Sequence, residues 1–134
     1  MSEREYLDIR QYSVEYLGIM PDKPDKREQA VLMQGILDLL VLRTLEVAPL
    51  HGWGISKSIR QMSRDVLTVN QGSLYPALYR LEASGWIEGK WNVTAEGRDA
   101  KFYSLTRAGR KQLKDENEYW QLFSRAVNDV LGGA

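Results

Sequence analysis

VNQGSLYPALYRLEASGW, residues 69–86, is the stretch whose reading decides the fold. At ~100° per residue, Leu74, Leu78 and Leu81 fall on one side of a short helix, and Gly72, Ser73, Pro76, Tyr79, Arg80 and Ala83 fall on the other. The leucine stripe reads as core. The opposite face mixes small residues with a hydroxyl, a phenol and a guanidinium, so a groove can be approached closely while polar tips reach phosphates or base edges. Taken alone, the stretch fits an ordinary amphipathic surface helix equally well.

The residues just beyond this helix separate the two readings. Gly85 is placed to cap the helix in the left-handed region, and Trp86–Trp91 reads as a strand. Asn92–Asp99 is a polar loop holding Gly97 and Arg98, and Lys101–Leu105 alternates and is rich in aromatics, as a second strand should be. Helix, glycine, strand, basic loop and strand is the order of a winged helix-turn-helix, whose hairpin lies beside a DNA-reading helix. The expected fold class is therefore mainly α with a small β-hairpin.

The flanks extend this reading. From Ala30 to Val47, Leu32, Ile36, Leu37, Leu39, Leu40, Val41, Leu42, Leu45 and Val47 cover more than one stripe of a helix. Such a helix is buried on most sides, and one small domain covers only one of them, so a second chain is expected on the other. Pro49 and Gly52 close it before a second helix at Ile55–Met62, which carries Lys57 and Arg60 and braces the reading helix. Thr106 is an N-cap candidate for the last helix, where Leu113, Trp120 and Val127 recur every seven residues and Phe123 and Val130 take the alternate positions of a seam. This pattern predicts a symmetric homodimer, with the last helix packed on the first helix and on its counterpart. Residues 1–20 read as a tail or as a helix laid on the partner subunit, and PDKPDKRE at 21–28 reads as a linker.

With 134 residues, 43% of them hydrophobic, the chain can bury one core. It has no cysteine, which excludes disulfides and thiolate metal sites. No run approaches the ~20 apolar residues of a membrane span, so a cytoplasmic protein without membrane contact is expected. The formal net charge is zero, yet it is segregated: residues 1–52 carry net −3, residues 53–114 net +6 and residues 115–134 net −3. The positive part is the segment that holds the reading helix and the wing, where phosphate attraction is needed.

Catalysis finds no constellation. His51 is the one histidine and reads as a turn residue, GSLYP lacks the second glycine of a nucleophile elbow, and Asp115, Glu116 and Glu118 read as a solvated helix face. No enzyme, metal or cofactor is expected.

Four linked blocks, LMQGILDLLVLRTLE, HGWGISKSI, NQGSLYPALYRLEASGWIEGKW and GRDAKFYSLTRAGRKQL, resemble in order and spacing the PadR-like transcriptional regulators, from about Pro24 to Leu131. The likeness is greatest to a short subgroup ending in a single helix and often found beside permease genes. The resemblance implies a DNA-backbone contact for Tyr75, and it places Arg98 and Lys101 at basic positions of the wing, with Asp99 where the family commonly has a basic residue. It also matches Trp120 to a tryptophan that stacks flat aromatic drugs between subunits in multidrug-binding members, which implies a space lined by Gly35, Asp38, Leu39, Phe123 and Ser124. Plain seam packing is the other reading of Trp120.

The expectation is thus an N-terminal extension and linker at 1–28, a DNA-binding winged helix-turn-helix at 29–106 and a dimerisation helix at 107–134. The candidate DNA contacts are Lys57, Gln71, Ser73, Tyr75, Tyr79, Arg80, Arg98 and Lys101, with Arg80 alternatively pairing with acidic neighbours. The expected function is a homodimeric regulator, a repressor on a two-fold operator in double-stranded DNA, released by a small aromatic or cationic effector. The rival is a winged-helix protein-interaction module without DNA affinity.

Overall fold

The structure, a computed structural model, describes residues 26–132, with side chains from Gly35 onward. The expected N-terminal segment and the linker up to residue 25 lie outside the described residues. The chain divides into two units, 1–36 and 37–134, and the second holds the core, the sheet and the reading helix.

Four helices and three strands occur in the order α1 (Lys26–Val47), β1 (Leu50–His51), α2 (Gly52–Met62), α3 (Gln71–Ala83), β2 (Ile87–Val93), β3 (Asp99–Leu105) and α4 (Arg107–Val130). The first helix begins earlier than its apolar pattern predicts. Lys26, Arg27 and Glu28, expected in the linker, are helical, which suits three good helix formers placed just beyond the last helix-breaking proline.

One core joins the elements of the second unit. Leu37, Val41, Leu42 and Leu45 of α1, Ile55 and Ile59 of α2, and Leu74, Ala77, Leu78 and Leu81 of α3 are buried together with Ile87, Tyr103, Leu105 and Leu113. The leucine stripe predicted for α3 is therefore the core stripe, widened by Ala77. Thr44 is the buried polar side chain of α1, and its hydroxyl donates to the Val41 carbonyl at 2.8 Å, so its burial leaves no unmet donor.

The sheet is antiparallel in the order β1-β3-β2. Pairing of β2 with β3 runs from Ile87↔Leu105 to Val93↔Asp99, so the hairpin is longer than the strands predicted at 86–91 and 101–105. Its loop shrinks to Thr94–Arg98, closed by Thr94 N–H donating to the Arg98 carbonyl at 2.7 Å and by Gly97 at φ +85°. The third strand, β1, escapes the sequence pattern because it is two residues long and exists through its pairing with Tyr103 and Phe102.

Gly52, expected to close a turn, is the first residue of α2 instead. His51 is its N-cap, with Nδ1 accepting the Gly54 N–H at 3.1 Å and the ring stacked on Phe102 at 5.0 Å. A turn residue in the sequence is thus a capping and stacking residue in the fold.

Candidate nucleic-acid interface

The reading helix starts from a well-made cap. Asn70 Oδ1 accepts the Ser73 N–H at 2.9 Å, which satisfies one of the first-turn donors of α3. Gln71, Gly72 and Ser73 come next, all exposed. Pro76 has no N–H, so the Gly72 carbonyl has no i+4 donor near the exposed start of the helix. Tyr79 stands out from the same helix at 76% exposure.

Tyr75 is half out of the core, and its phenol lies over Gly52. A Cβ at Gly52 would collide with the Tyr75 hydroxyl, so any larger residue there would force the phenol to shift. The Tyr75 side chain thereby spans the two helices of the motif with its edge at the surface.

Arg80, a candidate for the groove, is engaged elsewhere. Its Nη2 donates to Asp38 Oδ1 at 2.8 Å, both side chains are partly buried, and its Nε is buried without a partner among the described residues. The guanidinium ties α3 to α1, which is the acidic-neighbour alternative of the sequence reading. Burial pushes the Asp38 carboxyl above its usual range, with Arg80 pulling it down and Glu116 of α4 adding to the rise.

Lys101 also has a partner within the fold. Its side chain crosses Gly89 of β2, where a Cβ would strike it, and its Nζ reaches Glu82 Oε1 at 3.1 Å and lies 5.6 Å from the Tyr103 ring centroid. Glu82 raises the Lys101 pKa, and burial raises that of Tyr103. Lys57 and Arg98 are exposed, one on α2 with Nζ 4.9 Å over the Trp53 ring and the other at the end of the hairpin loop.

The remaining candidates concern a ligand. Asp38 and Leu39 are half-buried on α1, and Gly35 belongs to the first unit. On α4, Phe123 lies 6.1 Å from Trp120 and 5.9 Å from Tyr119, ring to ring, and Ser124 is half-buried beside them. Trp120 and Phe123 are partly open to solvent, so the expected seam exposes aromatic surface.

Sequence reasoning passed over three features of this surface. Asn70 lies just outside the leucine periodicity, although an Asn one residue ahead of a helix is a usable cap signal. Trp53 and Trp91 are exposed tryptophans on α2 and β2. Trp91 was legible from strand alternation, being four residues from Ile87 and hence on the core face of its strand. Among the described residues no helix is long and apolar enough to cross a membrane, and no three His, Cys, Asp or Glu side chains cluster to hold a metal.

Comparison with known proteins agrees with this geometry. Residues 41–115 match the family described as transcriptional regulator PadR-like. A transcriptional regulator of Mycobacterium tuberculosis is 36% identical over 74 residues, 55% of this chain and 65% of that one. Among solved structures, a transcriptional regulator from Clostridium thermocellum superposes with a TM-score of 0.67 at 27% identity, covering 74% of this chain and 96% of that one. A PadR-like transcriptional regulator from Bacillus cereus does so with 0.65 at 27% identity, covering 78% and 99%. The matched segment runs from the last turns of α1 through β1, α2, α3 and the hairpin to the first turns of α4, more than half of the chain, and the chain belongs to the PadR-like family of winged-helix transcriptional regulators.

Proposed function

We propose that this regulator is a cytoplasmic homodimeric repressor that lays its two copies of α3 into successive major grooves of a two-fold operator, ~34 Å apart. The observation that carries the reading is the face of α3: four core residues on one side, and on the other Gln71, Ser73 and Tyr79 open to solvent next to the hairpin. The net +6 of residues 53–114 favours a polyanionic partner for that face.

Dimerisation is supported by α4. Leu113 reaches the core, but Trp120, Phe123, Val127 and Val130 continue the same repeat into solvent, more apolar surface than a monomer usually leaves uncovered. An effector bound along that seam changes the spacing of the two reading helices and so releases the operator. Trp120, Phe123 and Ser124 supply an aromatic surface for a planar ligand. A cationic one has to compete with Arg80 for Asp38.

Footprinting on the DNA upstream of its own gene tests the proposal. Protection of a two-fold site is expected, with log affinity falling linearly in log salt and the slope flattened by up to ~0.9 in Lys57→Ala. Absence of salt-dependent DNA binding would favour the protein-interaction reading.

A further inference from the structure

The inner face of the hairpin runs past the core that it covers. Alternation along β2 puts Ile87, Gly89, Trp91 and Val93 on one face, and their register partners on β3 are Leu105, Tyr103, Lys101 and Asp99. Ile87, Tyr103 and Leu105 are buried, whereas farther out the same face carries Trp91 at 72% and Val93 at 56% exposure. A surface that begins as core therefore ends as an apolar overhang.

Helix α2 supplies the opposite bank. Trp53 is 60% exposed, meets His51 edge-on at 6.4 Å, and has the Lys57 ammonium 4.9 Å from its ring centroid. Trp53, Trp91 and Tyr75 line one open concavity of about 990 Å³ with the hairpin loop. Two indoles left facing water across a concavity mark a surface that gains by being covered.

We propose that Trp91 and Trp53 are contacts to the backbone of double-stranded DNA, packing on the apolar deoxyribose edges while Lys57 and Arg98 meet the flanking phosphates. The inference rests on the reading of α3 as the DNA-reading helix. Three observations favour DNA as the occupant. The concavity reaches α3 itself, with the half-exposed Tyr75 in its lining. Cations stand at both banks, Lys57 on α2 and Arg98 on the hairpin. The site is open, whereas a small-molecule site encloses most of its ligand. Glu96 and Asp99 flank Arg98 on the hairpin side and offset part of its charge, so the apolar contact of Trp91 carries more of the interaction at that bank.

Full-length protein, titrated with a duplex from upstream of its own gene and with an unrelated duplex, tests this. Trp91→Ala and Trp53→Ala should each weaken both duplexes by about 10-fold, because sugar contacts do not read sequence. Their log–log salt slopes should match wild type, since no charge is removed, and Trp91→Phe should recover most of the loss. Thermal melting should stay unchanged, and DNA should quench tryptophan emission in wild type but far less in the double variant. Wild-type affinity and undiminished quenching in the double variant would overturn the inference, provided Lys57→Ala still flattens the slope and so shows that the DNA face itself exists. Failure of the wild-type protein to bind either duplex would overturn the reading of α3 and this inference with it.

Discussion

Leu78 and Tyr79 are neighbours in the chain with opposite environments, 1% and 76% exposed. Leu78→Ala is expected to destabilise the fold by ~2–5 kcal/mol through a core cavity, while Tyr79→Ala leaves the denaturation midpoint in place and weakens or redirects operator binding. Denaturant melts and binding titrations on the two variants check this pair of outcomes, and a melted Tyr79→Ala beside an intact Leu78→Ala would reverse the faces. Asp38 makes a prediction about pH. Its folded pKa lies above the ordinary 3.8, so between those values the folded chain holds a proton that the unfolded chain has released. Stability from this group is full below 3.8 and declines as pH rises through the raised value. The stability of wild type minus that of Asp38→Asn should therefore fall with rising pH across that window; a difference independent of pH would contradict the assignment.

At the scale of elements, the end of α3 and the start of α4 form one joint. Gly85 at φ +79° closes α3, with Trp86 N–H donating to the Leu81 carbonyl and Gly85 N–H to that of Glu82, both at 3.0 Å. Thr106 then works in two directions. Its hydroxyl oxygen accepts the Gly109 N–H at 3.0 Å and its O–H donates to the Gly85 carbonyl at 2.7 Å, while its own N–H donates to the Trp86 carbonyl at 3.1 Å. Gly109 is needed where α4 crosses that segment, because a Cβ there would run into the Trp86 carbonyl. Backbone cannot swing aside as a side-chain tip does. Gly109→Ala is expected to cost ~1–3 kcal/mol and Gly85→Ala ~1–2 kcal/mol, measured by urea unfolding. Wild-type stability in Gly109→Ala would show the joint to be loose. In the proposed dimer, a stiff joint would pass a shift of α4 on to α3 directly.

For the whole molecule, the decisive quantity is association. Deleting residues 115–134 removes the exposed seam and spares Leu113, so a folded monomer is expected by sedimentation. Its operator affinity should collapse, since two half-sites are no longer held by one particle. Full-length protein that sediments as a monomer would refute the proposed assembly. Trp120→Ala separates packing from ligand binding: a planar cationic dye that quenches wild type should lose that response in a variant that still dimerises. A dimer with no dye response keeps the repressor and discards the effector site at Trp120.

What the sequence determined by itself was local. The leucine stripe of α3, the left-handed Gly85, the Thr106 cap and the order of helix, hairpin and helix all depend on residues within a turn or two of one another, where spacing maps directly onto geometry. Tertiary structure decided the rest. Leu50 and His51 became a third strand through Tyr103 and Phe102, far along the chain, and the His51 ring stacks on Phe102. Arg80 pairs with Asp38, and Lys101 with Glu82 across Gly89. The physical reason is the same in each case: a charged or aromatic tip satisfies itself with whatever the fold brings within ~4 Å, and periodicity along one segment carries no information about a partner on another.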